Sequence, residues 1–206
     1  MPPKPKFTKQ EIVDAALELA SEKGIEALTS RDLGARLGSS ARPIFTAFRS
    51  MDELQQEVRA AAMQRFESYA AEGDGEMPPF KHFGMRMVRF AMEEPRLYRM
   101  LFMSESGAVR DFEDIFKDLG TVVPKSMSIL QGADYGLSEQ GAWFLFRQMW
   151  IYTFGVGALC AMGVCRFTEQ EISDLLSQAF AANMLLVASG KMDECLNPEN
   201  GEVWRK

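Results

Sequence analysis

The sequence predicts an all-α protein built from two unequal helical parts. One observation is the legibility of helix starts: Thr8-x-x-Glu11, Ser50-x-x-Glu53 and Thr168-x-x-Glu171 each read as a capping box, and Thr29-x-x-Asp32 as a shorter-armed relative. A second is negative. No segment keeps a β alternation, and no Asn-Gly or Asp-Gly hairpin signal stands between β-branched runs. The third is length, since 206 residues suffice for one sizeable core or for a small unit joined to a larger one.

Taken in order, the first helix follows Thr8. Ile12, Ala15, Ala16, Leu19 and Ala20 repeat at helical spacing up to Gly24, a natural stop. A second helix is expected from about Thr29 to Leu37. Gly38 then takes a positive φ, Ser39 turns the chain, and Ser40 caps a short third helix beginning Ala41-Arg42-Pro43. Proline is harmless there, because first-turn amides have no partner within the helix. Leu33, Leu37, Ile44 and Phe48 face the first helix and close a three-helix core, and a fourth helix starts after Ser50.

Beyond it, GDGEMPP at 73–79 and the Glu94-Pro95 junction mark helix boundaries, and Gly120, Pro124 and the 132–136 region interrupt again. Two long apolar helices are expected at roughly 138–163 and 168–190. Residues 143–163 are long and apolar enough to raise a membrane span. Arg147 and Gln148 lie inside, and no flanking Lys/Arg cluster sets an orientation, so a helix buried in a helical body is expected instead. The N-terminus carries no apolar signal segment, which points to the cytoplasm.

Charge and reactive residues narrow the function classes. The net charge of −6 argues against a wholly basic nucleic-acid binder, yet residues 1–59 hold nine Lys/Arg against nine Asp/Glu, so the acidity lies downstream. Cys160, Cys165 and Cys195 form no CxxC and His82 is the single histidine, so no metal site and no cofactor are expected. Without a phosphate loop or a nucleophile and base in view, no catalytic residues are assigned. A helical enzyme using Glu93-Glu94 or Asp111/Asp114 remains the alternative, as does a membrane-associated helical protein. Those acids read more simply as solvated helix faces.

Two short helices joined at Gly38 form a helix-turn-helix, in which the first braces and the second presents small and polar residues to a DNA major groove. Helix N-termini and serine hydroxyls also suit phosphate oxygens. A plain helix pair with a glycine turn stays open on this stretch alone. The wider run TKQEIVDAALELASEKGIEALTSRDLGARLGSSARPIFTAFRSMDEL, residues 8–54, resembles the TetR/AcrR family of transcriptional regulators. That family has a capped first helix, a glycine before the second, a bracing helix, a recognition helix and an aromatic-x-x-aromatic before a capped fourth helix. PRLYRMLF at 95–102 and Trp150-x-x-x-Phe154-Gly155 look like a C-terminal subgroup that usually has Trp, then His-Gly, at that spacing.

The resemblance implies a flexible basic arm at 1–7, a DNA-binding domain at 8–54, a larger effector-binding and dimerisation domain at 55–190 and a polar tail at 191–206. It implies contacts to double-stranded operator DNA from Thr29, Ser30, Arg31, Ser39, Ser40, Ala41, Arg42, Pro43, Phe45, Thr46 and Arg49. Phe45 stands where the family commonly has a phosphate-contacting tyrosine, and Met51 where it commonly has a lysine. Arg31, Arg49 and the Lys4/Lys6/Lys9 arm are the substitutes. Arg42 stands where the family often has a small residue, and its planar fork suits the O6/N7 edge of guanine, against the plainer reading of a solvated arginine.

A small apolar or amphipathic effector is the other implied partner, with Phe90, Met100, Phe102, Met103, Trp143, Arg147, Trp150 and Phe154 as candidate ligand residues. Methionines and aromatics make adaptable apolar walls, though each is also an ordinary core residue. A homodimer through the last two helices is implied as well. Gly155, Gly157, Ala158, Ala161, Ala179, Ala181 and Ala182 would let those helices approach closely.

Overall fold

The computed structural model describes residues 6–71, 77–103 and 111–192. Lys4, the first part of the 73–79 break, Cys195 and most of the 191–206 tail therefore lie outside the described residues. Those described form an all-α fold: α1 (Lys9–Lys23), α2 (Ser30–Arg36), α3 (Arg42–Ala47), α4 (Met51–Ala71), α5 (Pro79–Glu93), α6 (Pro95–Phe102), α7 (Val122–Gln131), α8 (Glu139–Ala161) and α9 (Glu169–Ala188). Short 3-10 segments at Ile25–Ala27 and Phe112–Leu119 complete the order.

The expected caps set the helix starts, with two adjustments. Thr8 and Thr168 make full capping boxes, each hydroxyl taking the amide three residues on while Glu11 or Glu171 accepts from the cap amide. That bonding lowers the pKa of both carboxyls. At α4 the Ser50 hydroxyl accepts from the Glu53 amide at 3.1 Å, but the Glu53 carboxylate reaches one residue further back, to the Arg49 amide at 2.7 Å. At α3 the residue at the cap is Ala41, not Ser40; the Ser40 hydroxyl instead accepts from the Arg42 amide at 3.4 Å. Pro124, expected to interrupt, lies inside the first turn of α7, where its missing amide costs nothing.

A head of α1, α2 and α3 sits on a body of α5 to α9, and α4 belongs to both. Ile12, Ala16, Leu33, Ile44, Phe48, Leu54 and Val58 are buried and run without a break into the body core at Phe66, Phe90 and Leu97. In the body α5 packs against α8 and α9, which pack on each other, while α6 lies between α1, α4 and α8. Among the described residues no helix is long and apolar enough to cross a membrane. Helix α8 buries one side, including Ala142, Leu145, Phe146, Met149, Trp150 and Thr153, in the body and leaves the other open.

Gly157 corrects one expectation. Rather than facing a second copy, it receives the ring of Tyr98 from the same chain; a Cβ there would lie 2.7 Å from the Tyr98 hydroxyl and 3.0 Å from its ring. That hydroxyl donates to the Phe154 carbonyl at 3.1 Å, and burial pushes the phenol's pKa up. Ala161 is likewise buried. The outward face of α8 and the turn after it instead carry Ile151, Tyr152, Leu159, Met162 and Val164, and α9 carries Leu185, which is 73% exposed. Gly157→Ala is expected to force Tyr98 out of register and to lower unfolding free energy by about 1–3 kcal/mol, read from urea melts monitored by circular dichroism.

Candidate nucleic-acid interface and effector cavity

The helix-turn-helix is shaped by two glycines. Gly38 has φ +60° with open space around it, so it supplies the left-handed turn after α2. Gly34 does a different job. A Cβ on it would stand 3.1–3.2 Å from the backbone of Ser39, Ser40 and Ala41, so the turn can fold onto α2 only because that atom is missing. The Ser39 amide closes the turn by donating to the Gly34 carbonyl at 2.9 Å. Sequence reading credited Gly38 alone; a buried glycine four residues before a positive-φ glycine was the available signal for Gly34.

Buried Ile44 and Phe48 hold α3 from behind, leaving Arg42, Phe45 and Thr46 exposed in front, with Pro43 and Ala41 half-buried at the helix start. Phe45 is 51% exposed, an aromatic ring presented to solvent with no hydroxyl. The Thr46 hydroxyl donates to the Arg42 carbonyl at 3.0 Å and retains its lone pairs for another donor. At the start of α2, Thr29 and Arg31 are exposed and Ser30 half-buried; Thr29 is occupied as the cap, accepting from the Asp32 amide at 3.1 Å. Arg49 is exposed just past α3, and Ser39 and Ser40 lie in the turn between the helices. The expected DNA residues thus occupy one surface formed by the α2 start, the turn and α3.

The basic groups divide into two sets. Among the described residues Arg31 and Arg42 enter no ion pair. Lys6 joins them from the N-terminal arm, its ammonium donating to the Ser39 hydroxyl at 3.3 Å and the Gly38 carbonyl at 3.4 Å, which fixes a cation beside the turn. Lys9 is not available in the same way: it bonds Glu57 at 2.9 Å, lies 3.7 Å from Glu53 and sits over the Phe48 ring. The Glu57 bond raises its pKa. Arg36 is likewise held by Glu22 through two bonds of 2.7 Å, which lower the Glu22 pKa. Lys9 and Arg36 brace the head, while Lys6, Arg31 and Arg42 are left for an anionic partner.

In the body, a cavity of about 340 Å³ opens between α5, α8 and α9. Phe83 and Met87 of α5, Phe146 and Trp150 of α8, and Phe180 of α9 make most of its wall. Of the eight ligand residues expected from sequence, only Trp150 lines it. Phe90 packs on Phe66 and Tyr69, and Phe102 on Phe66, Tyr98 and Trp150, so both are core. Met100 and Met103 line a separate open cleft between α6 and the head, with Gly24, Arg96 and Arg99. Trp143 stacks on Phe146 and meets Phe116, Arg147 bonds Glu113 at 3.3 Å, and Phe154 stacks on Tyr98. The missed residues Phe80, Phe83, Gly84, Met87 and Phe180 came from α5 and α9, whose facing sides no sequence period distinguishes from core.

Among the described residues no three His, Cys, Asp or Glu side chains are grouped to hold a metal ion. Glu93 lies on a solvated helix face as expected, paired there with Arg89 at 2.7 Å, whereas Glu94 is drawn inward by Arg65 at 3.0 Å and the Ser21 hydroxyl at 2.5 Å.

Residues 12–58, which contain α2, α3 and their turn, match the model of the bacterial regulatory proteins of the tetR family. No curated protein sequence matches the chain. Its fold is similar to that of a transcriptional regulator from Rhodococcus sp. RHA1, with a TM-score of 0.64 at 15% identity over 89% of this chain and 97% of that one. It is also similar to a putative TetR-family transcriptional regulator from Vibrio parahaemolyticus, with a TM-score of 0.61 at 17% identity over 84% and 96%. A TetR variant from Acinetobacter baumannii AYE in complex with minocycline gives a TM-score of 0.59 at 17% identity over 88% and 95%. The helix-turn-helix of residues 12–58 is thus that of the tetR-family regulators, and the chain as a whole has the same fold as these solved structures.

Proposed function

We propose that the protein is a repressor that binds a pseudo-palindromic operator as a homodimer and leaves it when a small apolar or amphipathic effector occupies the body cavity. The observation that carries this reading is the surface of α2, the turn and α3, where Lys6, Arg31 and Arg42 stand without neutralising carboxylates while Ile44 and Phe48 anchor the helix behind them. Residues 8–54 are assigned to DNA binding and 55–190 to effector binding and dimerisation. In that assignment Arg42 reads a base edge, and Thr29, Ser30, Arg31, Ser39, Ser40, Ala41, Pro43, Phe45, Thr46 and Arg49 position the head on the backbone. The minocycline complex of the Acinetobacter baumannii relative supports a small molecule as the second partner.

Dimerisation follows from what α8 and α9 leave uncovered. A contiguous apolar face is costly in water, and Ile151, Leu159 and Leu185 stand out on helices that this family pairs across a twofold axis. An effector that favours a dimer with wrongly spaced heads weakens DNA binding, and by linkage the operator weakens effector binding by the same factor. Repression through operator occupancy places the protein in the cytoplasm with the DNA.

Four outcomes are expected. Selection from a random duplex pool should enrich a pseudo-palindrome whose half-sites lie about one duplex turn, roughly 34 Å, or a little more apart; no enrichment at low salt would return the enzyme alternative. Arg42→Ala should cost on the order of 2–6 kcal/mol on that site, since the dimer makes the contact twice, while binding to random duplex falls far less. Lys6→Ala should weaken both alike and flatten the salt dependence. An unchanged ratio of specific to random binding in Arg42→Ala would remove Arg42 as the base reader. Leu185→Glu should shift the protein to monomer in sedimentation experiments and abolish high-affinity operator binding with the helical circular dichroism intact.

A further inference from the structure

The lining of the body cavity is mostly apolar. Among the described residues that line it, Lys81 is the sole charged group, and it makes no ion pair with any of them. Lys81 of α5, Thr153 of α8 and Ser177 of α9 bring polar side chains to the lining from three helices, and Tyr135 adds a phenol from the turn after α7. Lys81 lies three residues before Gly84 on the same face of α5. Thr153 of α8 opposes it, its hydroxyl 3.8 Å from where a Gly84 Cβ would be, and Leu176 of α9, the neighbour of Ser177, stands 3.2 Å from that point.

Thr153 is the informative member. It is only 4% exposed and lines the cavity, and its hydroxyl makes no hydrogen bond among the described residues. Its oxygen is not sealed in the core but reachable from the cavity, so it can bond an occupant. Ser177 is already committed as a donor, to the Ser173 carbonyl at 2.7 Å, so it offers only acceptor lone pairs. Lys81 and Thr153 therefore contribute donors to a lining that, among the described residues, contains no carboxylate.

We infer that the cavity selects a monoanionic apolar molecule, a monocarboxylate whose head group is held by the Lys81 ammonium and the Thr153 hydroxyl and whose body lies among Phe83, Met87, Phe146, Trp150 and Phe180. This rests on the reading of the cavity as the effector site. One cation matches one negative charge, which favours a carboxylate over a phosphate carrying about two. From Lys81 to Met87 the cavity follows α5 for about 9 Å, the length of a medium alkyl chain or an arylalkyl group. A cavity of about 340 Å³ is within the range of small-molecule sites. Cationic molecules are disfavoured twice, by repulsion from Lys81 and by the lack of an acceptor carboxylate.

The test uses the full-length protein without DNA and two matched probe sets, octanoate with 1-octanol and octylamine, and 4-phenylbutyrate with 4-phenylbutanol, titrated by calorimetry. At least one acid should bind about 10-fold or more tightly than its alcohol, with octylamine weakest, as a charge-assisted hydrogen bond requires. Lys81→Met should remove that preference by weakening the acid far more than the alcohol. Thr153→Val, which keeps the shape, should weaken the acid about 3-fold or more. Gly84→Leu should block acid and alcohol together by filling the cavity. Acids that bind no better than their alcohols, or an acid affinity unaltered in Lys81→Met, would overturn the inference. Operator affinity is measured separately with and without the acid. Acid binding that leaves operator affinity unchanged upholds the ligand class and overturns the effector role; operator binding with no acid preference does the reverse.

Discussion

The guanidinium of Arg65 ties the head to the body, and the relative placement of the two depends on it. Arg65 stands midway along α4 and bonds Glu18 of α1 on one side and Glu94, at the α5–α6 corner, on the other. Ser21 of α1 holds the second oxygen of Glu94 at 2.5 Å, so α1, α4 and the corner close a ring of charge-assisted bonds. Burial alone would lower the Arg65 pKa; bonding to Glu18 and Glu94 outweighs it and holds the pKa up. Such a half-buried network contributes little net stability compared with apolar packing, but removing one member leaves the others uncompensated. What it supplies is geometry. A second tie, from Arg59 to the Met100 carbonyl at 2.5 Å, fixes the far end of α6 to the same helix.

Under the proposed effector role, this arrangement would give the cavity a mechanical route to the helix-turn-helix. Helix α5 forms one cavity wall and ends at Glu93, beside the residue that Arg65 and Ser21 hold. A ligand that moves α5 displaces the corner, and α1 must follow unless the bridge breaks. Because α1 carries the buried Ile12, Val13, Ala16 and Leu17 against which the head is packed, its displacement moves α2 and α3 as a unit. The 21 residues of α4 span about 30 Å, long enough to convert a small tilt at the body into a larger one at the head.

Legibility in the sequence followed the range of the interactions. Capping boxes and the Gly38 turn are fixed within five residues, so the starts of α1, α2, α4 and α9 and the helix-turn-helix were all readable. Close approaches between distant segments were not. Gly157 was read as a dimer surface because its occupant, Tyr98, is 59 positions away in the chain. The cavity was the least legible feature. Its walls come from three helices with the same Phe, Met and Leu composition as the core, and whether such a side chain meets a neighbour or a void depends on tertiary packing alone. Glu94 shows the same limit for charge, since a solvated face and a buried bridge have the same local sequence.

Charge placement also resolves the apparent conflict between a net charge of −6 and a nucleic-acid surface. The head is neutral in composition through residue 59, but its charges are not evenly mixed in space. Lys9 and Arg36 are held by Glu57 and Glu22 away from the turn, which uses up carboxylates on the bracing sides of α1 and α4. Lys6, Arg31 and Arg42 keep their charge at the turn and the two helix starts. A phosphate approaching within a Debye length, about 8 Å at physiological ionic strength, meets this local cluster and is screened from the acidic body. The absence of a tyrosine hydroxyl at Phe45 and of a lysine at Met51 places more of the grip on those three groups. Under the proposed assignment of Arg42 to a base edge, the missing hydroxyl and lysine would lower the share of affinity that comes from phosphate contacts.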